Sequence, residues 1–145
     1  MQISSRFTLA IHTLMCVEIF KDEYHVTSEF IASSTNVNPV IIRRILSQLK
    51  SAGIIEVTRG NGGGTTMKKP LSEITFLDIY KAVECVEENT LFHFHEKPNE
   101  ECPVGKNIHN IMDDKLNRVQ KAMEDELRSI TLEEVKKDLN SYLPQ

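Results

Sequence analysis

The side chains with the clearest chemical potential form a basic cluster between Val40 and Lys69. Lysine and arginine neutralise phosphate groups, so a local cluster of them is what binding to a nucleic-acid backbone requires. The net charge of −4 does not argue against such binding, because residues 1–70 carry +3 and residues 71–145 carry −7. An ordinary solvated surface is the alternative interpretation. The cluster holds one carboxylate, Glu56, against six basic residues, which are Arg43, Arg44, Lys50, Arg59, Lys68 and Lys69.

A glycine-rich segment, residues 59–64 with the sequence RGNGGG, lies inside this basic stretch. A nucleotide-binding loop would need Gly-Lys-Ser/Thr leading into a helix, whereas residues 65–67 (TTM) follow here and predict a strand. The segment is also unlike a Rossmann turn, because no helix is predicted after the glycines. The glycines instead predict the tip of a β-hairpin, because they permit positive φ in a tight turn.

Two predicted helices precede this hairpin and must position its basic neighbours. Thr27 or Ser28 caps the first of them, while Asn38 and Pro39 open the second as cap and first residue. Gly53 is expected to end the second helix. Arg43 and Arg44 fall largely on its outward side. The apolar residues that recur at helical spacing, and are expected to be buried, are Ile41, Ile42, Ile45, Leu46 and Leu49.

An N-terminal helix from about residue 5 to residue 20 completes this half of the chain. Strands over residues 54–58 and 65–67 are expected to enclose the glycine-rich tip. Helix, turn, helix and basic hairpin in this order is typical of a winged helix. In that fold one helix enters the major groove of DNA, and the hairpin lies against the neighbouring backbone or minor groove.

The second half of the chain predicts helices joined by a polar loop. Thr75 begins one helix, residues 87–103 form the loop, and a long helix runs from about residue 104 to residue 129. A final short helix begins at Thr131. The long helix carries a narrow apolar stripe over about 25 residues, which is hard to cover along its length within so small a monomer, and a paired helix in a dimer would cover it. The predicted fold is therefore mostly α, a winged helix-turn-helix domain (three helices plus a two-stranded β wing) with a long C-terminal dimerisation helix.

Several classes of protein are disfavoured by the same sequence. The sequence contains no apolar run of about 18 residues, so it predicts no membrane span. Its N-terminus is unlike a signal peptide, and we therefore expect a cytoplasmic protein. Cys16, Cys85 and Cys102 form no CxxC pair and are expected to be reduced thiols. No paired carboxylates, activated nucleophile or cofactor loop stands out, so we predict no catalytic residues and no enzyme. A protein-interaction adaptor that has lost DNA binding is the alternative function.

Residues spread along nearly the whole chain resemble the Rrf-type (Rrf2) family of bacterial winged helix-turn-helix transcription regulators. The matching stretches are residues 3–7 (ISSRF), 29–32 (EFIA), 38–40 (NPV) with Arg43 and Arg44, 49–55 (LKSAGII), 59–64 (RGNGGG), 70–74 (PLSEI) and 78–84 (DIYKAVE). Residues 102–106 (CPVGK) look most like the YwnA-type branch. The resemblance implies a homodimer that pairs through the long helix, binds a pseudo-palindromic operator in double-stranded DNA, and most commonly represses transcription.

The resemblance also implies which residues contact DNA. It places backbone contacts near the start of the first helix and at the start of the second, base contacts in the third helix, and further contacts in the wing. It divides the chain into a DNA-binding domain at 1–84, a sensor loop at 85–103, and the dimerisation and C-terminal helices at 104–145. The implied contacts are Ser5, Arg6, Thr27, Ser28, Asn38, Val40, Arg43, Arg44, Arg59, Gly60, Asn61, Gly62 and Gly63.

The cysteine pattern departs from the family. Cluster-binding members carry three closely spaced cysteines before the long helix, where this chain has Cys102 alone, so we expect no iron–sulfur cluster and no other cofactor. Cys102 is a candidate redox sensor, with an inert surface thiol as the alternative. His93 and His95 could bind a metal together with Cys102 or His109, but alternating histidines in a loop are more often ordinary polar residues, and we predict no metal site. An unidentified small ligand or partner protein remains open as the signal.

Overall fold

The computed structural model describes residues 3–60, 62–84, 91–92 and 94–144. The described residues confirm a mostly α fold with one two-stranded antiparallel sheet. Contacts divide the chain into two compact units, residues 1–85 with 128–145 and residues 86–127. The elements in chain order are α1 (Ser5–Phe20), α2 (Ser28–Thr35), α3 (Pro39–Ser51), β1 (Ile55–Thr58), β2 (Gly64–Met67), a 3-10 turn (Leu71–Glu73), α4 (Phe76–Val83), α5 (Pro103–Ser129) and α6 (Leu132–Asn140).

Side-chain caps fix where the helices of the first unit begin. Thr27 Oγ1 accepts a hydrogen bond from the backbone N–H of Phe30 at 3.2 Å, and this bond starts α2. Asn38 Oδ1 accepts from the N–H of Val40 at 2.9 Å, with Pro39 as the first residue of α3. Each cap satisfies a backbone donor that has no partner within the helix. The predicted starts of these helices are therefore confirmed.

The end of α3 is set by a glycine in the left-handed region. Gly53 has a φ of 75°, which a residue without Cβ adopts at little cost. Its N–H donates to the carbonyl oxygen of Lys50, and the N–H of Ile54 donates to that of Leu49 at 3.1 Å. These bonds satisfy the last carbonyl groups of the helix and turn the chain into β1. The predicted role of Gly53 is confirmed.

The core of the first unit lies between α1, α3, α4 and β1. The expected buried stripe of α3 is confirmed at Ile42, Ile45, Leu46 and Leu49. It is wrong at Ile41, whose side chain is 42% exposed. Successive residues lie about 100° apart around a helix, so Ile41 falls outside the arc that the other four share. Its apolar side chain points to solvent on the outer face of α3.

The wing is a short hairpin that is attached to the start of α2. Its strands pair from Ile55 with Met67 to Thr58 with Gly64. The buried Thr65 donates its backbone N–H to the carbonyl oxygen of Val26 at 3.1 Å. Because Val26 immediately precedes the cap of α2, the hairpin is held beside that helix.

The C-terminal helix α6 completes the core of the first unit. Leu132 is fully buried, and its N–H donates to the carbonyl oxygen of Ile74 at 2.9 Å. Lys136 Nζ lies 2.7 Å from the carboxylate of Glu18, which is also bonded to Lys21 at 2.9 Å. Backbone pairing thus joins the start of α6 to the segment before α4, and the ion pair of Lys136 with the buried Glu18 joins α6 to α1. The predicted division into a DNA-binding domain (1–84), a sensor loop (85–103) and a C-terminal part (104–145) stays a prediction.

Helix α5 has 27 residues, and no residue within it is buried. Its apolar side chains include Val104, Ile111 and Val119, which are 49–63% exposed. An amphipathic helix normally buries its apolar stripe against another element. Part of the stripe is therefore exposed, whereas Ile108, Met112 and Leu116 on the same helix are half-buried. Within the described parts of the chain, no helix is long and apolar enough to cross a membrane.

Candidate nucleic-acid interface

A groove with a volume of about 500 Å³ lies between α3 and the wing. Its cations are Arg43 and Lys50 on α3 and Arg59 at the turn of the hairpin. None of the described residues that line the groove is acidic. A cleft with one sign of charge attracts counter-charged ligands, here the phosphates of a nucleic-acid backbone.

The start of α2 forms another part of the groove wall. The wall includes Thr27 and Ser28, both predicted DNA contacts. The first backbone N–H groups of a helix carry partial positive charge and favour an anion. The hydroxyl of Thr27 caps α2 by accepting a hydrogen bond from the N–H of Phe30. The hydroxyl of Ser28, the next residue, takes no part in this cap. Its Oγ donates to Glu29 Oε2 at 3.1 Å.

Arg43 forms an ion pair across the two helices. Its Nη2 donates to Oε1 of Glu29 on α2 at 2.7 Å. The hydrogen bond from Arg43, together with those from Ser28 and the backbone N–H of Glu29 itself, holds the pKa of the Glu29 carboxyl below its ordinary value. The pair lies at the surface, with side chains that are 54% and 65% exposed. Arg43 is thereby oriented while most of its donors stay available.

The outward face of α3 carries the other predicted base contacts. Asn38, Val40 and Arg44 are exposed on this helix but do not line the groove. Val40 and Ile41 give the face an apolar component, which suits contact with thymine methyl groups. Arg44 supplies a planar donor fork, which suits guanine.

The turn of the wing depends on its glycines. Gly60 and Gly62 have φ values of 92° and 82°, as the sequence predicts for a tight turn. The N–H of Gly63 donates to the carbonyl oxygen of Gly60 at 2.9 Å. A Cβ at Gly63 would overlap the carbonyl oxygen of Thr58. At Gly63, backbone contacts therefore leave no room for a side chain. The predicted contact Asn61 lies outside the described residues.

The predicted contacts at the N-terminus lie on α1 rather than in the groove. Ser5 is the exposed first residue of the helix, and Arg6 is half-buried. Arg6 Nε donates to Ser4 Oγ at 3.2 Å, and that hydroxyl donates in turn to Glu84 Oε1 at 3.0 Å. This chain of bonds fixes the start of α1 against the end of α4.

The structure thus brings together six predicted residues in the groove, namely Thr27, Ser28, Arg43, Arg59, Gly60 and Gly63. It also adds residues that the sequence did not assign to the site. Ser47 and Lys50 line the groove with Arg43, and their positions four and seven residues along α3 are the helical spacing that could have indicated them. Glu29 carried no such signal, because its partner lies on another helix.

The two described thiols, Cys16 and Cys102, differ in exposure and in the direction of their pKa shifts. Cys102 is exposed directly before α5. Hydrogen bonds from the backbone N–H groups of Gly105 and Val104 hold the pKa of its thiol below the ordinary value. Cys16 is buried in α1, and burial raises its pKa more than the hydrogen bond with Ser34 lowers it. Cys85 lies outside the described residues.

These donors do not fit an iron–sulfur cluster, which is held by several thiolates. Burial disfavours the thiolate of Cys16, so of the two described cysteines Cys102 is the better suited to be a thiolate. Among the described residues, no group of three or more His, Cys, Asp or Glu could hold a metal ion. His95 and His109 stack on each other, and His93 lies outside the part that the structure describes.

Comparison with known proteins identifies the kind of molecule to which this site belongs. The family model "Rrf2: Iron-dependent Transcriptional regulator" matches residues 3–138. YwnA of Bacillus subtilis (strain 168), an HTH-type transcriptional regulator by name, is 45% identical over 133 residues, which are 92% of this chain and 96% of YwnA. These names describe regulators, in agreement with the prediction that the chain is not an enzyme.

Solved structures agree with the fold. One crystal structure, of a protein described as DNA-binding, is 39% identical with a TM-score of 0.68, and the match covers 90% of this chain and 98% of that one. CymR of B. subtilis, described as the global cysteine regulator, has a TM-score of 0.68 over 99% of both chains. CymR is 22% identical, so this likeness concerns the fold alone.

Proposed function

We propose that this chain, which belongs to the Rrf2 family of transcriptional regulators, is a homodimeric repressor that binds a pseudo-palindromic operator in double-stranded DNA. It would act in the cytoplasm. The observation that carries the proposal is the groove between α3 and the wing, with Arg43, Lys50 and Arg59 in its lining. In this arrangement α3 enters the major groove, and the wing lies along the neighbouring backbone.

The exposed apolar residues of α5 support dimerisation. Its apolar stripe includes Ile111 and Val119, both exposed in the monomer. Pairing with the same helix of a second chain would bury the stripe on both copies, as a two-fold interface requires. Two recognition helices related by this axis would meet two half-sites of opposite direction. A dimer held at such a site would repress by excluding other proteins from the promoter.

A double substitution tests the DNA-binding role. We expect Arg43→Ala with Arg59→Ala to abolish specific binding, because it removes one cation from α3 and one from the wing of each protomer. The readouts are fluorescence anisotropy on duplexes selected by the wild-type protein and light scattering for the dimer. Lys137→Ala, on α6 and outside the groove lining, is the control. An unchanged affinity of the double variant would favour the interaction-adaptor alternative.

The signal is proposed to be oxidation of Cys102, with a small ligand or partner protein as the alternative. The N–H groups at the start of α5 favour the thiolate, which is the form that reacts with oxidants. We expect Cys102→Ser to leave DNA affinity in reductant unchanged and to remove any response to mild peroxide. A response of the variant equal to that of the wild type would exclude Cys102 as the sensor. The proposal involves no iron–sulfur cluster.

A further inference from the structure

The ion pair between Glu29 and Arg43 places a carboxylate at the edge of a groove that is otherwise cationic. Glu29 Oε1 lies 2.7 Å from Arg43 Nη2, and Ser28 Oγ donates to its other oxygen at 3.1 Å. Both charged side chains are more than half exposed, so water screens the pair and it contributes little to stability. A role in folding therefore does not explain this arrangement.

The geometry of the pair leaves Arg43 able to bind a second acceptor. A guanidinium group has five N–H donors in a rigid plane, and the observed bond to Glu29 uses Nη2. Bidentate binding to guanine O6 and N7 needs two donors of this plane. Glu29 limits the rotation of the guanidinium group, and the other edge of its plane is still available to a base.

The Glu29 carboxylate also lowers the contribution of Arg43 to non-specific DNA binding. Phosphate attraction depends on net local charge, and Glu29 offsets the charge of its partner. Glu29 lies next to Ser28 in the first turn of α2, where a backbone phosphate would approach. A negative side chain here penalises any DNA register in which Arg43 binds only phosphate.

We propose that Glu29 is a specificity-determining residue. It orients the Arg43 guanidinium group for hydrogen bonding to a guanine base and weakens the attraction of Arg43 to phosphate groups. The inference rests on the proposed DNA-binding function. It assigns the guanine contact to Arg43 rather than to Arg44, which is also exposed on α3. The operator half-site should then contain one guanine whose recognition depends jointly on Arg43 and Glu29.

Selection of sites from a library of randomised duplexes tests this inference. The proteins compared are the wild type, Glu29→Gln, Arg43→Ala and Glu56→Gln. Glu56→Gln is the matched control, because it removes one exposed carboxylate from β1, outside the groove lining. Each protein is then titrated on the wild-type site and on copies in which single guanines are replaced.

We expect the wild type and Glu56→Gln to prefer one guanine by about tenfold over its replacements. In Glu29→Gln and Arg43→Ala, preference at the same position should fall below about threefold. Affinity of Glu29→Gln for random duplex should rise. An unchanged guanine preference in Glu29→Gln, with a selected site in the wild type, would overturn this inference alone. Failure of the wild type to select any site would overturn the proposed function as well.

Discussion

Replacement of Lys50 by alanine gives a quantitative test of the groove. Lys50 is exposed near the end of α3 and lines the groove opposite the wing. Its ammonium group acts as a point charge on phosphate, so its removal should weaken binding to all duplexes alike. Each neutralised phosphate contributes about 0.9 to the slope of log affinity against log salt, and a dimer carries two copies of the residue. Lys50→Ala should therefore reduce the magnitude of the slope by about 1.8.

This slope predicts a measurable change between two salt concentrations. From about 50 mM to about 200 mM salt, the affinity ratio of wild type to Lys50→Ala should shrink by about twelvefold. Fluorescence anisotropy at five or more salt concentrations measures it, with Lys137→Ala as the charge-matched control. An unchanged slope for Lys50→Ala would refute the assignment of the groove to phosphate binding. A loss confined to one DNA sequence would mean that Lys50 reads a base instead.

Three further substitutions test the ion pair between α1 and α6, the turn of the wing and the proposed dimer interface. Burial favours a higher pKa for Glu18, but Lys136 and Lys21 outweigh it and lower the pKa from its ordinary value of 4.5. The ionised pair therefore stabilises the fold above this ordinary value, and the stabilisation is lost as the pH falls through the lower pKa of the folded protein. Urea unfolding should show Glu18→Gln less stable by about 2 kcal/mol at neutral pH, a difference that shrinks in acid. Gly63→Ala should cost about 1–3 kcal/mol through overlap with Thr58, and wild-type stability of this variant would contradict the described turn. Ile111→Asp should convert the dimer to monomer in light scattering, whereas an intact dimer would exclude this part of α5 from the interface.

Local chemistry in the sequence was enough to predict most of the element boundaries. Asn38 with Pro39, and Gly53 with its neighbours, determine the two ends of α3 through hydrogen bonds within a few residues. Thr75 and Asp78 form the capping box that begins α4. Such signals depend on adjacent backbone groups, so they can be recognised in the sequence without knowledge of the tertiary structure.

Features that join distant segments were beyond the same reasoning. The Glu29–Arg43 pair spans two helices, and the contact of Lys136 with Glu18 joins residues 118 positions apart. Neither is implied by helical spacing. The wrong prediction that Ile41 is buried has a related cause. Helical periodicity gives the direction of a buried stripe but not its width. The packing partners of α3 determine that width.

The central claim is that the chain binds DNA by sequence, and one ratio of dissociation constants tests it most directly. Fragments of the genome that encodes the chain are first selected by the reduced protein, and the preferred site is then measured at fixed salt against a scrambled duplex of equal composition. We predict binding to the selected site that is tighter by about a thousandfold or more. Equal affinity for the two duplexes would contradict the account.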